Sequence, residues 1–398
     1  MQIAVIGAGA SGLMVSGRLT SLGNEVTLFE KNEKVGKKLF ITGKGRCNLT
    51  NLCDNEEFLS NVIRGNKFLR SAINHFSTYD CYSFFEELGL NLKVERGNRV
   101  FPFSDKSSDV IKTLEKFCKN VNIKYNTEVL DIIKKENKFD LVTSNGFYSF
   151  DKVIVSTGGK SYSLTGSTGK GYEIAKKFGH EVIDLKPALV AIEVKDDFIS
   201  KLQGLSLKNV EISCFNRKFN FFGEMLFTDK GISGPIVLSL SSYINRINVD
   251  DLFIDFKPAL DKKQLEQRLL REFDENKNKN IYYIYKGLFP SKLADIFGDI
   301  VGIKSDRKVN SITRVEREKI IDYIKCFPLK FKKFYALDTA IVTSGGVSLD
   351  EINPKTFQSK LCDGLYFIGE VLDIDALTGG FNLQIAFATA MSCADNLK

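Results

Sequence analysis

Gly7-Ala8-Gly9-Ala10-Ser11-Gly12 lies between an apolar run, Ile3-Ala4-Val5-Ile6, and a helical stretch that ends near Gly23; Val26-Thr27-Leu28-Phe29-Glu30 follows. A G-x-G-x-x-G alone constrains little. Placed after a strand, at the start of a helix and ahead of a second strand ending in an acid, it predicts a βαβ dinucleotide-binding unit. Each glycine has a separate job: Gly7 makes the tight turn, Gly9 lets backbone approach a pyrophosphate, and Gly12 lets helix and strand pack closely. The helix start, with Ala10 and Ser11 in its first turn, offers free N–H groups and a positive dipole end. Glu30 can accept both hydrogen bonds of an adenosine ribose diol and would repel a 2′-phosphate. The site therefore suits FAD or NAD rather than NADP.

A chain of 398 residues exceeds what one core usually serves, so two domains are expected. The net charge of +7 comes from scattered lysines, apart from a Lys/Asn stretch at Asn276 to Asn280. No basic run has the length of a nucleic-acid arm, and this argues against a nucleic-acid partner. No apolar run approaches the ~20 residues that span a bilayer, which argues against a membrane protein. The first strand starts too early for a signal peptide to precede it. The eight cysteines (Cys47, Cys53, Cys81, Cys118, Cys214, Cys326, Cys362 and Cys393) are dispersed without a CxxC pair. With only His75 and His180 to help, they suggest no metal set. A reduced, cytoplasmic protein is expected. Nothing in the sequence specifies an oligomeric state.

Residues 56–90 read as helical, with Phe68, Leu69, Ile73 and Phe76 at helical spacing. Ser108 is the expected N-cap of a helix carrying Val110, Leu114, Phe117 and Cys118. Short strands are predicted at 121–125, 128–133 (with Val129), 139–143 and 147–150, followed by a buried strand into Thr157-Gly158-Gly159. A Rossmann half, interrupted by a small meander and closed by such a strand, is the layout of α/β FAD domains of the glutathione-reductase type. After Pro187 come alternating strands at 190–194, 210–215, 219–222 and 252–256. An amphipathic helix follows at 262–273, then short helices over 280–333. The predicted division is a discontinuous FAD-binding domain, 1–187 with 336–398, and an inserted β-plus-helical domain, 188–335.

Three glycine clusters are expected to converge on one ligand: Gly7/Gly9/Gly12, Thr157-Gly158-Gly159, and Gly369-Glu370 with Gly379-Gly380. The last pair opens a final helix whose N-terminus would face the flavin ring and favour its anionic reduced form. Phe40-Ile41-Thr42-Gly43-Lys44-Gly45-Arg46-Cys47-Asn48 falls where FAD enzymes pass chain over the cofactor. Gly43, Cys47 and Asn48 are expected there, and Lys31, Lys37, Lys38 and Arg46 are candidate cations for the phosphates. Cys47 and Cys53 are a weak match to a redox pair, since five residues separate them. Gly166-Ser167-Thr168-Gly169-Lys170-Gly171 fails the Walker pattern, because glycine follows the lysine. ATP hydrolysis is not indicated.

These segments, with Gly223-Glu224-Met225-Leu226-Phe227-Thr228, Gly231-Ile232-Ser233-Gly234-Pro235 and Thr378-Gly379-Gly380-Phe381-Asn382-Leu383-Gln384, resemble the bacterial aminoacetone-oxidase-like flavoproteins. That family is labelled NAD(FAD)-utilising dehydrogenases and includes proposed bile-acid reductases. The resemblance covers nearly the whole chain. It implies non-covalent FAD, contacts from Asn382 and Leu383, and an insert with a β-barrel-like part and a helical part. Gly369-Glu370-Val371 is also distantly similar to fumarate reductase flavoproteins, but no flavin-linking histidine lies near residues 40–50. The expected activity is hydride transfer between flavin N5 and a small organic substrate, as a C=C reductase fed transiently by NAD(P)H or as an amine oxidase. The alternatives are an RNA-binding flavoprotein and a flavin-bearing sensor without turnover. Arg99, Lys160, Tyr162 and Glu370 lie near the glycine clusters, and none is assigned a catalytic role.

Overall fold

The opening apolar run, Gln2–Ile6 (β1), is the central strand of a five-stranded sheet in the computed structural model, which describes residues 1–397 apart from 216 and 250. Ile3, Ala4 and Val5 are fully buried, as in a parallel strand covered on both faces. Ala10–Ser21 (α1) leads to Glu25–Phe29 (β2), which pairs parallel to β1 with Ile3 opposite Val26 and Ile6 opposite Phe29. The strand order is Leu365–Phe367, Lys152–Val155, β1, β2, Asn122–Lys124, all parallel. A three-stranded antiparallel meander, Val129–Lys134, Phe139–Thr143 and Gly146–Phe150, precedes the Lys152–Val155 strand. The expected Rossmann-type sheet with its inserted meander is thus present.

By internal contacts the chain falls into two units, Met1–Ala188 with Ala336–Lys398, and Leu189–Tyr335. The second holds a closed six-stranded barrel: Ile192–Val194, Gly231–Ser233, Phe219–Phe227, Ser206–Cys214, Asp251–Asp255 and Phe327–Phe334, in that order. Helices Lys262–Glu275, Tyr282–Leu288, Ser291–Val301 and Arg314–Lys325 belong to the same unit. Their buried faces share one core with the barrel, including Leu265, Leu269, Phe297 and Ile324. No helix among the described residues is long and apolar enough to cross a membrane.

Three local expectations are corrected. The helical stretch 56–90 is three helices, Asn55–Ser60, Asn66–His75 and Thr78–Glu87. Between the first two, Val62–Arg64 pairs as a strand with Asp375–Ala376, and a Ser77/Asp80 capping box restarts the chain at the third. The helix predicted to be capped by Ser108 runs Ser107–Phe117, and Ser107 Oγ donates to the Phe40 carbonyl at 2.6 Å instead of capping. Phe327–Phe334, read as part of a helical region, is a barrel strand.

His180 is buried, with Nδ1 3.0 Å from Glu351 and Nε2 2.8 Å from Ser359. Burial pushes its pKa below the usual 6.5, and the Glu351 carboxylate only partly opposes this. The folded state therefore binds this proton less readily than the unfolded chain. The resulting stability is intact above pH 6.5 and is lost as pH falls from there toward the folded value. Thermal melts between about pH 7.5 and 5.5 are expected to show a shallower pH slope for His180→Gln than for the natural chain.

Candidate functional site

The three glycine segments follow the carboxyl ends of three neighbouring parallel strands, β1, Lys152–Val155 and Leu365–Phe367. In open α/β sheets this edge is where ligands bind. At the first segment, a Cβ on Gly12 would overlap the Gly7 carbonyl, so only glycine lets α1 pack here. Gly9 is the opposite case: a Cβ there meets nothing within 4 Å, and its backbone face is open. Gly9 is also the N-cap of α1, with no side-chain cap, so the first-turn N–H groups, including those of Ala10 and Ser11, are free of a side-chain partner.

The segments touch one another. A Cβ on Gly369 would lie 2.7 Å from Ser11 Oγ, and one on Gly159 2.9 Å from Glu370 Oε1. Gly158 faces Ser167 Oγ and Glu370 Oε2. Glu370 is ion-paired with Lys38 at 2.8 Å and accepts the Thr343 N–H at 2.9 Å, while Lys38 Nζ also reaches Ser161 Oγ at 2.7 Å. At the third segment, the 16-residue helix Phe381–Asn396 begins after Gly380, which has φ +100° and no side-chain cap. A Cβ on Gly380 would overlap the Thr50 carbonyl, and Asn51 Nδ2 donates to the Gly379 carbonyl at 3.0 Å. The end of the 40–51 motif is thereby packed against the start of the last helix, with Gly43 close to the Asn48 N–H.

Glu30 is buried at the end of β2. Its Oε2 accepts from Ala8 N at 3.0 Å, and its Oε1 accepts from Asn32 N at 2.9 Å and Asn32 Nδ2 at 2.7 Å. A carboxylate has about four acceptor positions; with three used here, one remains, on Oε2, for a ribose hydroxyl. Val129 is buried in the meander, two residues after Thr127, whose N–H bonds the Glu30 carbonyl at 2.9 Å. Lys31 Nζ is held by Thr168 Oγ1 at 3.1 Å.

Several expected roles change. Arg46 is not a free cation for phosphate: its guanidinium pairs with Glu95, lies 2.6 Å from Asp105 and stacks over Phe101. Both carboxylates raise the Arg46 pKa further; Arg46 lowers that of Glu95, and Lys93 with Arg46 lowers that of Asp105. Asn382 directs its side chain inward, to Ala376 N and O and the Leu377 carbonyl, bracing the turn ahead of the last helix, and Leu383 is half-buried beside it. Cys47 and Cys53 are both buried free thiols, pushed up to about 12 by burial, which suits packing and not redox exchange. His75 closes its helix against Asp395 at 2.8 Å. Residues the sequence reading missed include Asn32, Ser161 and Thr343, whose roles appear only through contacts with distant segments.

These features fit an extended flavin dinucleotide. The Gly9 backbone is open, two helix starts lack side-chain caps, and Glu30 offers acceptor capacity. Two buried oxygens, Thr157 Oγ1 in the second glycine segment and Asn48 Oδ1 in the 40–51 motif, have no hydrogen-bond partner among the described residues.

The family model described as "HI0933-like protein Rossmann domain" matches residues 1–396. A Haemophilus influenzae protein named ribosomal RNA dihydrouridine synthase is 32% identical over 399 residues, covering 98% of this chain and 96% of its own. A Clostridium scindens protein named 3-dehydro-bile acid delta(4,6)-reductase is 30% identical over 400 residues, covering 98% and 97%. Among solved structures, the open conformation of a flavocytochrome c3 fumarate reductase superposes with a TM-score of 0.52 at 17% identity, over 99% of this chain and 77% of that one. The chain belongs to the HI0933-like Rossmann flavoprotein family and is an FAD-dependent oxidoreductase.

Proposed function

We propose that this chain reduces a carbon–carbon double bond conjugated to a carbonyl, drawing electrons from NAD(P)H through non-covalent FAD. The observation that carries the site is the alignment of three glycine segments at the ends of adjacent parallel strands. The reductive direction is supported by the two relatives, whose names both describe saturating such a bond, in a bile acid and in uridine.

Bound FAD supplies hydride transfer at N5. The chain's part is to hold and bias it. The N–H groups at the start of α1, with the Gly9 backbone alongside, would hold the diphosphate, and Glu30 would accept a hydroxyl of the adenosine ribose. Thr157, Gly158 and Gly159 would border the middle of the cofactor, next to Glu370, which Lys38 holds together with Ser161. The start of the last helix, which has no side-chain cap, would favour negative charge on a flavin ring held there. Residues 1–187 and 336–398 carry all these contacts. One hydride and one proton saturate the substrate bond.

Anaerobic stopped-flow mixing tests this reading. NADH or NADPH is expected to bleach the flavin, and a 3-oxo-Δ4 steroid is expected to restore its colour. A flavin that ignores both nucleotides, yet is reduced by amines and reoxidised by oxygen, would make the protein an amine oxidase. A second reading, in which the double bond belongs to uracil in RNA, is favoured by the Haemophilus influenzae relative's name. It predicts that ribosomal RNA lacking dihydrouridine, and not the enone, reoxidises the reduced flavin.

A further inference from the structure

Asn32 was singled out by no motif, yet every polar group it has is engaged. Its backbone N–H and its Nδ2 both donate to Glu30 Oε1, at 2.9 and 2.7 Å. Its Nδ2 also donates to the Thr165 carbonyl at 3.2 Å, its Oδ1 accepts from Lys37 at 3.5 Å, and its carbonyl accepts from Asn126 N at 3.1 Å. The amide orientation follows from these partners: two carbonyl-type acceptors face the nitrogen and an ammonium faces the oxygen.

Thr165 belongs to the Gly/Ser/Thr-rich segment 160–169 that failed the Walker pattern. This segment runs as a strap from the Lys38–Glu370–Ser161 cluster to the Glu30 side of the site. At one end the Lys160 N–H donates to Thr343 Oγ1 at 2.8 Å. At the other, Lys31 holds Thr168, and Gly166 sits so close to Asn32 that a Cβ there would lie 2.7 Å from Nδ2. The tip, Leu164, is 91% exposed, and beside it the Tyr162 and Ser163 N–H groups donate to the Asp338 carbonyl at 3.0 Å and Oδ1 at 2.7 Å, so polar tethers along its length hold the strap.

From this junction we infer that Asn32 is a cofactor-positioning residue. It fixes the ribose-binding carboxylate of Glu30 and, through the same amide nitrogen, ties the strap across the adenosine half of FAD. Release of the dinucleotide is then limited by breaking the Asn32–Thr165 tether. This rests on FAD occupying the glycine-lined edge as proposed above.

The test uses the full-length FAD-loaded protein. Asn32→Ala is expected to release FAD about tenfold faster, read as recovery of free-flavin fluorescence after dilution, and, after FAD is stripped, to bind ADP more weakly by a similar factor. The absorbance and reduction potential of the flavin still bound are expected to be unchanged, because Asn32 acts on the adenosine half. Thr168→Val, at an exposed position, removes the second tether without touching Glu30 and is expected to speed release about threefold. Release at the natural rate from Asn32→Ala, or from Thr168→Val should the first variant not fold, overturns the inference. So does a shift in flavin potential, which would mean general loosening. A natural chain that takes up no FAD would instead refute the underlying site.

Discussion

Gly9→Val is expected to leave the fold standing while weakening FAD binding on the order of 100-fold, about 2.7 kcal/mol. The reasoning separates two glycines of one motif. Gly9 has extended backbone angles, φ −83° and ψ −165°, that any residue adopts, and a Cβ there meets nothing within 4 Å. The side chain would therefore cost the empty protein little, and it would fill the space the diphosphate needs. Gly12→Ala differs, because its Cβ overlaps the Gly7 carbonyl and must damage packing and binding together. Thermal melts of the FAD-free variants, set beside FAD titrations, check the contrast. Equal destabilisation by both substitutions would contradict this account of the turn.

Arg64→Ala is expected to cost about 3–5 kcal/mol of stability, because it leaves a buried carboxylate without its cation. Arg64 Nη1 contacts both oxygens of Asp375 at 3.0 and 2.9 Å, and the Asp375 side chain is fully buried. Burial raises the Asp375 pKa even with the guanidinium beside it. Replacing both partners with apolar residues, Arg64→Met with Asp375→Leu, is expected to cost less than the single change, since the buried Asp375 charge is then removed with its cation. Denaturant unfolding of the three variants measures this. The pair also joins strand Val62–Arg64 to Asp375–Ala376, just ahead of the Gly379-Gly380 helix start. The single variant should therefore lose FAD affinity along with stability.

What was legible in the sequence was set by backbone needs over short spans. The βαβ unit was readable because turn, helix start and acid fall at fixed offsets within residues 3–30, and the last helix because a glycine pair precedes a run of small apolar residues. Pairings across long separations were not readable. Val62–Arg64 has three residues, too few for any period, and its partner lies more than 300 positions away. Phe327, Leu329 and Phe331 do alternate across Pro328 and Lys330, but the run is short and joins a Lys-rich helical stretch, and only the barrel decides. Arg46 announced a cation and not the carboxylates that neutralise it, which stand 49 and 59 residues further on. Asn32 is ordinary in sequence, since its part depends on a strap more than 130 residues away.

The central claim is that the glycine-lined ends of three adjacent strands hold FAD without a covalent bond. Titrating the purified, FAD-stripped chain with FAD tests it most directly, with binding read from the flavin absorbance that stays with the protein after gel filtration. The account predicts saturation at about one FAD per chain, all of it released by acid. A folded chain that remains colourless in excess FAD, or one whose flavin survives acid precipitation attached to protein, would contradict it.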